Sequence, residues 1–192
     1  MAVSFSRQGA YIVYMSNWQL LSKKEVYNHP HRRVEEWKVK VPSGKERNFA
    51  IFVGDDVVIV FGITTDKQIL VIYQYYIAHQ TKVPSLVAGI VDGGDHAKTA
   101  IQELHEEAGC VAKEWVYLGS SFKGKYATGV YHYYLAMDVK RVGAQQLEAS
   151  EDIDVKFVSQ KEFFALLRTS KLQDVAQVAC AYRALDYLGK LS

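Results

Sequence analysis

Ala88-Gly89-Ile90-Val91-Asp92-Gly93-Gly94-Asp95, followed after Gln102 by Glu103-Leu104-His105-Glu106-Glu107-Ala108-Gly109, is the stretch on which the reading of this chain turns. Its first half is dense in Gly and Asp, so Val87–Asp95 is predicted to be a loop. Apolar residues at Ala97, Ala100, Ile101, Leu104 and Ala108 then recur at the spacing of an amphipathic helix over Ala97–Ala108. Gly109 stands where a C-cap glycine belongs. On that helix Glu103, Glu106 and Glu107 fall at i, i+3 and i+4 and share one face. No Lys or Arg lies among them or one turn beyond on that face. Each like-charge pair at this spacing costs roughly 0.2–0.5 kcal/mol. Two readings follow. The cluster is either a solvated acidic face or a set of hard oxygen ligands suited to Mg2+ or Mn2+. The preceding loop bears on the choice: Gly89, Gly93 and Gly94 let the backbone turn tightly and come close to a ligand, and a loop feeding a helix N-terminus is a ready anion site. A phosphate-holding loop joined to a metal-holding helix suits hydrolysis of a phosphoanhydride.

Upstream, Phe49–Val53, Val57–Ile63 and Gln68–Ile77 are β-branched and aromatic runs broken at Asp55-Asp56 and Thr64–Lys67, which predicts a meander of paired strands. Residues 9–41 read as irregular structure with room for two strands, and Pro42-Ser43-Gly44-Lys45 as a turn. Downstream, strands are predicted near Trp115–Phe122, Val130–Val139 and Ile153–Val158. Ser159-Gln160-Lys161-Glu162 has the form of a capping box opening a helix to Arg168. A last helix is predicted to carry Val175, Val178, Ala179, Tyr182, Leu185 and Leu188 on one face. The sum is an α+β domain, a mixed sheet with helices packed on both sides.

With 192 residues, 49% hydrophobic and 23% charged, the chain can bury a core without disulfides or structural metals. A net charge of +2 gives no reason to expect nucleic acid or a membrane surface as partner. Cys110 and Cys180 match no metal or redox spacing and read as core residues in a reducing compartment. The N-terminus lacks the form of a signal peptide, and the apolar runs are too short to span a bilayer, so a soluble cytoplasmic protein is expected.

Gly89–Cys110 resembles the Nudix box, G-x5-E-x7-R-E-U-x-E-E-x-G-U with U apolar. Glu103–Cys110 matches its second half at every position. Asp95 stands at the first glutamate, the spacer from Asp95 to Gln102 is one residue short, and Gln102 replaces the arginine that helps to hold the glutamates. Asn17–Lys45, Lys67–Ile77, Glu148–Val155 and the two terminal helices resemble the ADP-ribose pyrophosphatase branch of that family. Three positions depart from the branch. Tyr76 stands for an arginine after the Gln-Tyr pair, Ser85-Leu86-Val87 stands for Glu-x-Pro, and His31 or Arg32 stands for an aromatic.

The resemblance implies a Nudix-type α/β/α sandwich over residues 48–192, preceded by a small N-terminal β segment, residues 1–47, that serves dimerisation and the substrate pocket. It implies Glu103 and Glu107 as principal Mg2+ ligands, with Mn2+ as substitute, and Glu106 on a further ion or its water. The Ala88 carbonyl would complete a coordination sphere. Glu151 is the implied general base, with Glu148 in reserve. Arg32, in a basic patch with His29, His31 and Arg33, and Trp37 are candidate substrate contacts beside Gly89. Trp37 reads first as a core or dimer-interface residue, and Tyr131–Tyr134 as a strand with alternate faces buried, in which His132 is a further candidate for substrate contact. The implied substrate is a nucleoside diphosphate sugar, ADP-ribose first, cleaved to a nucleoside monophosphate and a sugar phosphate by a homodimer. The alternatives are another sugar nucleotide, NADH or a dinucleoside polyphosphate as substrate, or a binding module with attenuated catalysis.

Overall fold

The computed structural model describes residues 4–6, 9–11, 17–29 and 32–190. The chain divides into two compact units: residues 1–54 with 124–128, and residues 55–123 with 129–192.

In the first unit, β1 (Ser4–Ser6) pairs with β2 (Gly9–Tyr11). A separate antiparallel sheet runs β3 (Gln19–His29), β4 (Arg32–Lys40), β5 (Glu46–Val53). The expected turn links β4 to β5: Val41 and Lys45 are hydrogen-bonded at 2.9 Å, and Gly44 takes a φ of 80°. The stretch 9–41, read as irregular structure with room for two strands, carries two long ones, β3 and β4, although residues 12–16, 30 and 31 within it lie outside the described residues. One expectation needs correction: Phe49–Val53 does not join a meander with the next two runs. Those positions belong to β5, which pairs with β4, and β5 runs across the boundary expected at 47/48. The reason is length: β4 offers a partner at eight consecutive register positions, from Arg33↔Val53 to Lys40↔Glu46.

The second unit is built on a mixed sheet of seven strands. Its path is β11 (Glu114–Phe122), β12 (Val130–Met137), β6 (Val57–Ile63), β7 (Ile69–Tyr76), β14 (Ile153–Val158). Strand β8 (Thr81–Ser85) adds to β7 and β9 (Val87–Ile90) adds to β6. Only β12 and β6 run parallel in these pairings. Alternate residues of the strands enter two separate cores. Val58, Val60, Leu70, Ile72, Tyr134 and Ala136 pack with Ala100, Leu104 and Ala108 of α1 (His96–Ala108). Ile59, Phe61, Ile69, Val71, Tyr133 and Leu135 pack with Phe163 of α2 (Gln160–Arg168) and with α3 (Val175–Tyr187). The α/β/α sandwich is therefore present, and a strand covered on both faces explains why β6 reads as an unbroken apolar run. The capping box at Ser159 and Glu162 is formed.

Both packed helix stripes differ from the expected ones. On α3 the buried residues are Ala176, Gln177, Cys180, Ala181, Ala184 and Leu185, while Val175 is 83% and Tyr182 51% exposed. Small side chains let this helix sit close to the sheet, and size outweighs hydropathy in choosing the face. On α1 the stripe runs through Thr99, Ala100, Leu104, Glu107 and Ala108, leaving Ile101 outside. Nor is Val87–Asp95 all loop, because Val87–Ile90 forms β9 against Val57–Val60.

Candidate active site

Asp95 caps α1, its side chain accepting from the Lys98 N–H, and Gly109 ends the helix with a φ of 62°. A Cβ at 109 would also collide with the Gly143 carbonyl, so that position demands glycine twice over. Beyond it, β10 (Cys110–Val111) pairs with β13 (Lys140–Arg141). The following loop is tied to α1 through Gln146 N–H to the Glu106 carbonyl at 2.8 Å. Gln145 Nε2 also donates to the Glu107 carbonyl at 2.7 Å and to the Ile153 carbonyl at 3.0 Å.

This frame places the carboxylates. Glu107 is 2% exposed, and its Oε2 accepts the Ala88 N–H at 3.0 Å. Asp56 and Val91 form a hydrogen-bonded pair continuing the β6–β9 ladder, so Ile59 and Ala88, three places along, fall in a non-bonded pair. The N–H and C=O of Ala88 therefore both leave the strand on the side away from β6, where the N–H meets Glu107. Glu103 lies flat against Gly89, where a Cβ would overlap its carboxyl group. Glycine is needed at 89 to seat this glutamate.

Burial pushes the Glu103 carboxyl up to about 7, and the charges of Glu106, Glu151 and Glu148 push the same way. Glu107 is also raised well above the usual carboxylate range, by burial first and then by the charges of Glu103, Glu151 and Glu106, against the opposing hydrogen bond from Ala88. Glu106 is exposed. Glu151 is half-buried; its Oε2 accepts the Glu148 N–H at 2.8 Å and its own N–H donates to the Glu148 carbonyl at 3.0 Å, closing a tight turn beside the helix.

Ala88, Gly89, Glu103, Glu106, Glu107 and Glu151 thus fall in one unit. Arg32, at the start of β4, and Trp37 belong to the other. Trp37 donates from Nε1 to Glu35 Oε2 at 2.6 Å, and Lys23 Nζ lies 4.1 Å from its ring centre. His31 lies outside the described residues. Gln102 is exposed and lines a shallow groove with Ile101, His105, Glu106 and Trp115.

The donor set suits a hard divalent cation, since buried carboxylates this close need a positive charge to be ionised together. Among the described residues no three such groups already converge on a single point.

Three features were passed over in the sequence. Gln145 and Gln177 are polar residues that accept or donate to site backbone, and only the second left a trace, as a polar residue within an apolar helix. The third is a cluster next to the glycine loop. His132, 8% exposed, lies between Asp56 Oδ2 and the Tyr117 hydroxyl, each at 3.1 Å. His96 stacks on His132 at 4.0 Å. The strand expectation for His132 holds, with its ring on the α1 side of the sheet. Two departures from the pyrophosphatase branch also prove to be partners, for Ser85 Oγ donates to the Tyr76 hydroxyl at 3.3 Å.

No curated protein matches the sequence. The crystal structure of an ADP compounds hydrolase is similar in fold, with 16% identity and a TM-score of 0.81 over 94% of this chain and 99% of that one. Residues 55–179 match the NUDIX domain family. That span contains β6, the glycine loop, α1 and the Glu148–Asp152 turn, and with it the chain belongs to the Nudix family as a pyrophosphohydrolase.

Proposed function

We propose that this enzyme hydrolyses the pyrophosphate bond of a nucleoside diphosphate sugar, ADP-ribose first among them, in a Mg2+-dependent reaction. The observation that carries the reading is the group of Glu103, Glu106, Glu107 and Glu151, with two of these carboxyls pushed upward by burial and mutual repulsion. The name of the similar structure, an ADP compounds hydrolase, supports an ADP-containing substrate.

Glu103 and Glu107 are the proposed principal ligands, with the Ala88 carbonyl beside them and Glu106 on a further ion or its water. Bound Mg2+ neutralises diphosphate charge and lowers the pKa of water. The chain's own residues do the rest. Ala88 N–H fixes the Glu107 rotamer, Gly89 gives Glu103 its seat, and Glu151 is the proposed base that takes the proton of the attacking water. Gly93 and Gly94, both with positive φ, shape the loop that meets the phosphates.

The segment 1–47, with Arg32 and Trp37, is proposed to serve dimerisation and the substrate pocket. Every residue of β3 is exposed in the single chain, including Leu20, Leu21, Val26 and Tyr27. Such a strand calls for cover, and a second copy is the proposed cover. No helix among the described residues is long and apolar enough to cross a membrane. Both cysteines are free and buried, which supports a reducing, cytoplasmic setting.

A panel of ADP-ribose, other sugar nucleotides, NADH and dinucleoside polyphosphates, assayed by phosphatase-coupled phosphate release with Mg2+ and with EDTA, tests the reading. ADP-ribose should turn over fastest, and only with metal. Full turnover in EDTA would overturn the metal dependence, and a faster rival would replace the substrate. A second reading, an attenuated binding module, draws on the exposed Gln102 at the arginine position. Tight ADP-ribose binding by calorimetry with no product would favour it.

A further inference from the structure

Strands β6 and β7 are paired only at Gly62↔Leu70 and Ile63↔Ile69. Beyond that they splay, and β8 follows β7 while β9 follows β6. Leu86 is the single residue between β8 and β9, so the chain crosses from one branch of the sheet to the other there. Its side chain is fully buried, and its N–H has no ladder to join.

One side chain fills that gap. Gln177 of α3, 4% exposed, accepts the Leu86 N–H on Oε1 at 2.7 Å. Its Nε2 donates to the Tyr76 hydroxyl at 3.3 Å, which also accepts from the fully buried Ser85 at 3.3 Å. A flipped amide would set its NH2 against the Leu86 N–H, so the orientation is fixed. Asp174 in turn caps α3 through the N–H groups of Ala176 and Gln177, at 2.8 and 3.2 Å. Two residues after Leu86, the Ala88 N–H holds Glu107. A buried amide bonded at both its oxygen and its nitrogen, on an otherwise small and apolar helix face, is an expensive choice for packing alone.

We propose that Gln177 is a positioning residue for the carboxylate site. Through Leu86 it fixes the start of β9, which presents Ala88 N–H to Glu107, and Tyr76 with Ser85 takes up the other end of its amide. The proposal rests on the reading of Glu107 as a metal ligand.

The test is Mn2+ binding to the full chain, read from the EPR signal of the free ion, in the wild type, Glu107→Gln, Gln177→Leu and Tyr76→Phe. Amide exchange at Ala88 is followed by NMR without metal. Gln177→Leu should weaken Mn2+ binding roughly 10- to 100-fold, as loss of an outer partner typically does, and speed exchange at Ala88. Tyr76→Phe should show the same two changes at about a few-fold, since only the far end of the amide is released. A folded Gln177→Leu with wild-type Mn2+ affinity, while Glu107→Gln loses binding, overturns the proposal alone. Wild-type affinity in Glu107→Gln as well overturns the metal reading, and this proposal with it. Should Gln177→Leu not fold, Tyr76→Phe decides: unchanged Mn2+ affinity and unchanged exchange at Ala88 overturn the proposal.

Discussion

The two faces of the seven-stranded sheet are made by the same strands, one residue out of step, yet they behave as different materials. Toward α2 and α3 the sheet presents Ile59, Phe61, Ile69, Val71 and Leu135 to a lid of Phe163, Ala181, Ala184 and Leu185. Toward α1 it presents Val58, Val60, Leu70 and Ile72 to a helix whose buried stripe includes Thr99 and Glu107. The strands are mostly apolar on both sides, His132 on the α1 side excepted, and it is the helix that brings the carboxylates to one face. A carboxylate at 2% exposure opposes stability unless its charge is matched. Apart from Gln177 and Ser85, the α2/α3 face is where the fold is held, and the α1 face is where stability is given up for function.

The sharpest way to break this contrast is a matched pair of substitutions. Glu107→Gln should lower kcat by about a thousandfold or more, because several kcal/mol of charge stabilisation depend on its ion. Its melting temperature in EDTA should stay level or rise, since a buried carboxyl crowded by acidic neighbours is gone. Phe163→Ala, across the sheet, should do the reverse. It removes an edge-to-face partner of Phe61 at 5.3 Å and leaves a cavity, costing about 3–5 kcal/mol in urea denaturation, with kcat of the folded fraction unchanged. A large stability loss with little rate loss for Glu107→Gln would make that glutamate structural and dissolve the contrast.

Gly89→Ala sharpens the same point within the α1 face. The added methyl overlaps the Glu103 carboxyl group, and a displacement near 1 Å at such a group typically costs about a hundredfold in rate. The far-ultraviolet spectrum should be unchanged, because the clash is with a side chain and the pairing of β9 with β6 is left intact. A fully active variant would mean that Glu103 leaves Gly89 in the working enzyme.

Most of the fold could be read from periodicity, and the failures share a cause. The strand limits at Ile153–Val158 and the caps at Ser159 and Gly109 follow from local chemistry, and local chemistry is written in order along the chain. The face that α3 buries depends on how close the sheet lies, which no window of α3 records. Likewise β9 looked like loop because Gly89 and Ala88 have little strand propensity; Gly89 is there for Glu103, fourteen residues later. The carboxylates were legible because helical spacing brings them together within five residues. Gln177 was not, since its partners Leu86 and Tyr76 are joined to it only by the fold.

The faces should also part in their response to pH. In metal-free protein the folded state keeps the Glu103 proton up to about 7, whereas an unperturbed glutamate releases it near 4.5. Between these values the folded form binds more protons than the unfolded, so stability is full below the lower value and falls as pH rises through the upper one. The raised Glu107 acts in the same direction. Across the sheet Cys180 is pushed up to about 12 by burial and stays protonated throughout. The urea midpoint in EDTA should drop from pH 5 to pH 8, and Glu103→Gln should flatten the slope. A midpoint that rises over this range would show that the carboxylates lie in a more solvated setting.

The smallest expected effect is at Gln102, the position at which this box departs from its family. The side chain is exposed, one helical turn before Glu106, and lines the groove with Ile101, His105 and Trp115. A glutamine there offers Glu106 at most a neutral hydrogen bond, whereas arginine offers a charged, forked one. On an exposed helix such an i, i+4 pair contributes about 0.3–0.5 kcal/mol, so any structural gain is slight. The effect on metal should be larger than that figure implies, because a glutamate held in one rotamer no longer has to be ordered when the ion arrives. Gln102→Arg is therefore expected to lower the Mg2+ concentration for half-maximal rate by about a few-fold, less than the roughly 10- to 100-fold typical of outer partners, while leaving the melting temperature within about a degree. The one-residue shortening between Asp95 and position 102 supplies the opposing outcome. If the arginine falls where it competes with the ion for Glu106, the half-saturating Mg2+ concentration rises instead. That result would show that this helix has been rebuilt around glutamine and that Glu106 works without a charged neighbour.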